Sequence, residues 1–157
     1  MAIEKVRSYF QKFNMEDRII ELTQSSATVE LAAIALNCEP KRIAKTMSFL
    51  VGEKPMLVVM AGDAKISNQK FKEKFLVKPR MIEFDKVESL IGHSVGGVCP
   101  FAVCENVDVF LDKSLKRFET VFPAAGSGNS AIELNMLELE KYSNSKEWVD
   151  VCKDWEN

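Results

Sequence analysis

The chain has 157 residues, 46% hydrophobic and 28% charged, with a formal net charge of −2 at pH 7. That length suits one domain over 1–157, large enough to bury roughly 68–70% of its unfolded surface, and the composition excludes a disordered tail or a collagen-like repeat. No run approaches the ~18 apolar residues of a membrane span, MAIEKVRSYF lacks the apolar stretch of a secretory signal, and the acidic balance argues against a long DNA-binding face, so a cytoplasmic protein with no membrane and no DNA partner is expected.

Residues 2–13 place Ile3, Val6, Phe10 and Phe13 at helical spacing and predict an amphipathic helix. Arg18 to Leu22 reads as a short strand. Ser25, Ser26 or Thr28 then caps a helix through TVELAAIALN, which stops before Glu39-Pro40. Residues 42–51 and 56–61 read as two strands joined by the turn GEKP. In the first strand, period-two patterning groups Ile43, Met47 and Phe49 on one face. Lys45 falls on that same apolar face. An ammonium there must enter a cleft, pair with a carboxylate, or snorkel outward, because burying it alone costs several kcal/mol.

Ser67 to Phe75 predicts a basic helix, and Arg80 to Glu83 a short strand. Asp85 to Ile91 reads as a helix capped by Asp85, with Glu88 in the box position. GHSVGGVCPF follows. Its glycines, Gly92, Gly96 and Gly97, permit close backbone approach, and Pro100 fixes the exit. Such a loop can aim N–H groups at an anion or oxyanion, or can be only a tight turn. His93 beside Cys99 makes a Cys–His dyad conceivable, against the commoner reading of an inert buried thiol. Strands are expected at Val107 to Leu111 and Glu119 to Pro123. A second small-residue loop, AAGSGNS, carries Gly126, Ser127 and Ser130; it suits a small polar ligand or a solvated turn equally. Asn135 and Glu138 form a capping box for a last helix, and Trp148 to Val151 could close a sheet. Strands and helices alternate without a regular βαβ rhythm, which predicts an α+β fold with a mixed, mostly antiparallel sheet. One histidine and four cysteines without a CxxC pair leave few ways to build a zinc site, so neither metal nor cofactor is expected and the cysteines read as free thiols. The lysine and arginine clusters at 41–45, 70–80 and 113–117 could hold phosphates, though a solvated face is the more usual meaning.

RIAKTMSFLV, GHSVGGVCPF and AAGSGNSAIEL, in that order and at these distances, resemble the YbaK/EbsC family, which shares its fold with the editing domain inserted in bacterial prolyl-tRNA synthetases. The resemblance runs from about Ser25 to the C-terminus. It implies a barrel-like sheet with surrounding helices and a free-standing deacylase that hydrolyses mischarged aminoacyl-tRNA. The family's essential lysine maps onto Lys45, its GxxxP loop onto Gly96 and Pro100, and its AGSxxS-like segment onto Gly126, Ser127 and Ser130. On this reading Lys45, Gly96 and Gly97 are catalytic, and Pro100, Gly126, Ser127, Ser130 and His93 bind substrate. Ala102 departs from the family, in which glycine is frequent at that position.

The resemblance implies the acceptor end of an aminoacyl-tRNA as partner, with a synthetase as a further one. Lys45 would anchor the terminal phosphate or ribose, and the Gly96–Gly97 amides would face the developing oxyanion. The expected substrate is a small noncognate residue such as alanine, serine, threonine or cysteine, on tRNA-Pro or another tRNA. Ser127, Ser130 and Cys99 tilt the expectation toward a hydroxyl-bearing side chain. The competing expectation is a non-catalytic module that holds a tRNA end or nucleotide and docks on a synthetase.

Overall fold

The computed structural model describes residues 2–155. Helix α1 (Ala2–Gln11) buries Val6 and Phe10, and the Phe10 ring packs edge-on against Phe101 and Tyr142 at 4.9 and 5.6 Å. It ends two residues before Phe13, whose ring packs edge-on against Tyr9 and tilted against Tyr142. A 3₁₀ turn, Glu16–Arg18, leads to β1 (Ile19–Glu21). Helix α2 (Val29–Leu36) is capped by Thr28, whose hydroxyl accepts the Leu31 N–H at 3.2 Å, and it closes on Asn37 in the left-handed conformation.

The centre of the molecule is the antiparallel hairpin β2 (Ile43–Val51) and β3 (Lys54–Ala61). The turn is only Gly52-Glu53. Lys54 and Pro55 belong to β3, where Pro55 sits opposite Leu50 near the strand's start, a place that tolerates the missing N–H. Met56 to Ala61 are all buried, as expected of a central strand covered on both faces. Next come β4 (Lys65–Ile66) and α3 (Asn68–Phe75), the latter capped by Ser67.

The expected strand at 80–83 reduces to a single bridge between Met81 and Phe49. The expected cap at Asp85 is not formed. Residues Phe84–Lys86 make a 3₁₀ turn first, and α4 (Val87–Ile91) begins one turn later without a side-chain cap. Strands β5 (Asp108–Asp112), β6 (Thr120–Pro123), β7 (Ser130–Ile132) and β8 (Leu134–Asn135) follow. Helix α5 (Met136–Ser143) carries the full Asn135/Glu138 capping box. Strands β9 (Glu147–Val149) and β10 (Cys152–Lys153) end the fold.

Six strands form one sheet in the order β8-β6-β2-β3-β5-β9. The β2–β3 and β6–β8 pairings are antiparallel, while β2–β6, β3–β5 and β5–β9 are parallel. Two antiparallel ribbons, β1–β7 and β4–β10, complete a curled, half-barrel α+β fold with five helices among the described residues. No helix among the described residues is long and apolar enough to cross a membrane.

Candidate functional site

Lys45 lies in the first half of β2, between Ile43 and Met47 along its face and opposite the fully buried Met60. Its side chain is half-buried, and it forms no hydrogen bond or ion pair among the described residues. Burial pulls its pKa below the ordinary lysine value; Cys152, Asp63 and Glu30 oppose that shift and Lys65 adds to it. The side chain borders a cavity of about 510 Å³, within the size range of small-ligand sites.

The cavity collects residues from six separated segments, four of which carry its polar and glycine positions. Lys45 and Thr46 come from β2, Gly96 and Val98 from the glycine-rich loop, Ser130 from β7, and Ser26 to Val29 from the start of α2. The hydroxyl oxygens of Ser26 and Thr46 are buried without a hydrogen-bond partner. At the rim Phe84, Met81 and Val95 are 77%, 56% and 47% exposed, an unusual grouping of large apolar side chains in solvent. The α2 start and this rim were not singled out from the sequence. Ser26 and Thr28 are legible there only as capping residues, and nothing local marks Phe84 as lining anything.

Of the eight sequence-predicted site residues, Lys45, Gly96 and Ser130 border the cavity. The others stand behind them. Gly96 takes φ +97°, the left-handed conformation that glycine adopts without a Cβ penalty. Gly97 closes the turn by donating its N–H to the Ser94 carbonyl at 3.0 Å, so that amide is already engaged. A Cβ on Gly97 would meet the backbone of Gly126 and Ser127 at 2.7–2.9 Å. The close backbone approach that Gly97 permits is thus the contact between the two loops. Pro100 and Gly126 are buried in this junction. The Ser127 and Ser130 hydroxyls lie 2.7 Å apart, and Ser127 also donates to Asn129 Oδ1 at 2.9 Å. The same loop is tied to the segment ahead of α2, with the Ser26 N–H on the Gly128 carbonyl and the Leu22 N–H on the Asn129 carbonyl, both 2.7 Å.

His93 and Cys99 are close, with Sγ 3.5 Å from Nε2, yet both are fully buried and neither borders the cavity. The His93 Nε2–H donates to the Phe101 carbonyl at 2.6 Å, which leaves that nitrogen unable to accept a thiol proton. Burial lowers the His93 pKa and pushes the Cys99 thiol up to about 12. A thiolate nucleophile is thus disfavoured on both counts. The expected substrate contact of His93 is corrected to a loop-holding one, because a ring with no solvent access cannot reach a ligand. Cys99, like Ser127, gives no polar lining to the cavity; that lining comes from Ser26, Thr46, Ser48 and Ser130.

Most basic clusters are occupied in structural pairs. Lys74 bonds Glu147, Lys70 and Lys113 share Asp150, and Arg117 grips Asp63 with two nitrogens. The four cysteines are free, and no group of three His, Cys, Asp or Glu among the described residues could hold a metal ion.

A curled sheet thus carries a lysine-bearing, glycine-lipped cavity. The model of the aminoacyl-tRNA editing domain family matches residues 23–142, and the chain belongs to that family. The resemblance read from the three sequence motifs is thereby shown. The chain is 50% identical over 157 residues to YwhH of Bacillus subtilis (strain 168), an uncharacterized protein, covering 99% of this chain and 100% of that one. Proline–tRNA ligases of Bacillus cytotoxicus and Aquifex aeolicus are 30% and 33% identical over 94 and 96 residues, 59% of this chain and 17% of each ligase. Among solved structures, one proposed as a trans-editing enzyme for prolyl tRNA synthetase superposes with a TM-score of 0.86 at 21% identity, over 97% of both chains. A hypothetical protein superposes at 0.84 with 26% identity, over 95% of this chain and 99% of the other.

Proposed function

We propose that this chain is a trans-acting deacylase that hydrolyses the ester of a small, wrongly attached amino acid at the 3′ end of a tRNA. The observation that carries this reading is the unpaired, half-buried Lys45 ammonium on the wall of a cavity otherwise lined by apolar side chains, hydroxyls and Gly96. A lone cation kept there at a desolvation cost is suited to an anionic or strongly polar ligand. The small residues Ala27, Ala32, Ala44 and Ala131 leave room beside it.

In the proposed reaction Lys45 binds the terminal phosphate or ribose and adds positive charge near the ester. A water oxygen adds to the ester carbon, and its proton is relayed through the neighbouring ribose hydroxyl or solvent to the departing ribose oxygen. The tetrahedral oxyanion faces the Gly96 amide, since the Gly97 amide is engaged by Ser94. One such donor is worth ~2.7–4 kcal/mol of barrier. The ester C–O bond then breaks, and the ribose oxygen leaves with a proton. The ester is already activated, so positioning, worth ~7–11 kcal/mol, can supply much of the acceleration without a nucleophilic side chain. The exposed Phe84 at the rim offers a face for an unpaired terminal base.

The chain acts as one editing domain over residues 1–157, in the cytoplasm where its substrate is made. A small pocket separates side chains differing by one methylene by only ~1–3 kcal/mol, which is why a separate editing step is useful. The hydroxyls of Ser26, Thr46 and Ser130 favour serine or threonine over alanine. The test is a panel of tRNAs charged with alanine, serine, threonine or cysteine, tRNA-Pro included, with ester loss followed against the spontaneous rate. Acceleration on at least one member is expected. No acceleration on any, with tRNA ends still bound, would replace the enzyme with the binding module.

A further inference from the structure

The antiparallel register of β4 with β10 sets Lys65 directly opposite Lys153. Directly opposed residues share one face of a ribbon with Cβ atoms about 4.5–5.5 Å apart, and like charges so placed are destabilising. Both lysines are exposed, and neither forms an ion pair or hydrogen bond among the described residues. The nearby carboxylates are engaged elsewhere. Asp63 is held by Arg117 at 2.6 and 3.0 Å, Asp150 lies between Lys70 and Lys113 at 3.1 and 3.2 Å, and buried Asp112 accepts the N–H groups of Ser114 and Val151. Among the described residues no carboxylate pairs with either lysine, which leaves two like charges side by side in a protein of net charge −2.

This ribbon packs against the strand pair that carries Lys45. Cys152, beside Lys153, packs its sulfur 3.6 Å from that of Met60, and Met60 is the cross-strand partner of Lys45. Lys65 is close enough to Lys45 for the two ammonium charges to repel.

We infer that Lys65 and Lys153 form a clamp for a phosphodiester of the RNA strand whose 3′ end enters the Lys45 cavity. This rests on the proposed function for the identity of the strand. A phosphate oxygen bridging the two ammonium groups relieves their repulsion and gains charge-assisted hydrogen bonds. Such contacts hold register without reading sequence, which suits an enzyme whose discrimination lies in the cavity.

The experiment compares wild type with Lys65→Glu, Lys65→Gln and the double variant Lys65→Gln/Lys153→Gln. Binding of uncharged tRNA is measured by fluorescence anisotropy over a salt series, alongside thermal melting and hydrolysis of a 3′-aminoacyl adenosine that has no phosphodiester. Lys65→Glu faces Lys153 with an opposite charge, so its melting temperature is expected to equal or exceed wild type. Its tRNA Kd is expected to rise about 3- to 10-fold. The salt slope of the double variant should fall by about 0.7 for each single-strand phosphate that the protein no longer neutralises. Hydrolysis of the aminoacyl adenosine should be unchanged. An unchanged Kd and salt slope in the double variant would overturn the clamp, as would no tRNA binding by wild type. So would an equal drop in turnover on aminoacyl adenosine, which would place the effect in the cavity. Failure of deacylation with lysine-dependent tRNA binding intact would sink the proposed enzyme and leave the clamp standing.

Discussion

Gly97 and Ser127 touch backbone to backbone: a Cβ added to Gly97 would lie 2.7 Å from the Ser127 Cα and 2.8 Å from its nitrogen. The two glycine-bearing loops are therefore a single wall, with Val95, Gly96, Val98, Ala124 and Ser130 among its cavity-facing members.

Gly97→Ala is expected to force that wall apart. Overpacking of this kind costs about 1–3 kcal/mol, because neither neighbour is a flexible side chain that can swing away. Turnover should fall along with the urea midpoint. An unchanged midpoint and unchanged turnover together would show that the loops are free to separate.

Lys45→Met should remove activity while keeping or raising stability. Loss of a hydrogen bond to a charged group predicts a fall in kcat/KM of about 10- to 100-fold. The stability sign follows from protonation. The folded-state pKa lies below the ordinary value of 10.5, so between the two the unfolded chain binds more protons. Wild-type stability therefore rises relative to Lys45→Met as pH climbs toward 10.5. Denaturant midpoints of both proteins across the alkaline range give the comparison; a gap that widens with pH contradicts the assignment.

Cys99→Ala is expected to retain deacylation, and native Cys99 should resist iodoacetamide at neutral pH. The thiol pKa rises from 9.0 to about 12 on folding. Its contribution to stability is thus fully present below pH 9 and is lost as pH rises toward 12. Loss of activity in Cys99→Ala, with the fold preserved by circular dichroism, would return the thiol to the mechanism.

Ala102 occupies the left-handed region, with φ +54°, at the exit of the glycine-rich loop. That conformation costs a residue with a Cβ roughly 1–2 kcal/mol, and glycine's extra unfolded-state freedom offsets roughly 0.5–1 kcal/mol of the relief. Ala102→Gly should therefore stabilise the fold by up to about 1 kcal/mol, read from chemical denaturation. A destabilised variant would mean that the methyl's packing against the core outweighs the backbone term.

Local chemistry in the chain was enough to determine the buried face of α1, a hydroxyl-capped start for α2, the Asn135/Glu138 box, the β2–β3 hairpin and the anomaly of Lys45 on an apolar strand. Those signals act within a turn or along one strand, so the chain carries them before it folds. Tertiary structure alone decided that Gly97 serves contact between loops, that His93 and Cys99 are sealed from the cavity, that Phe84 stands at its rim, and that Lys65 opposes Lys153. Each of these depends on the register or approach of segments far apart in the chain. No periodicity or cap encodes that, because the relevant energies are steric and electrostatic terms between surfaces that meet only once the sheet has closed.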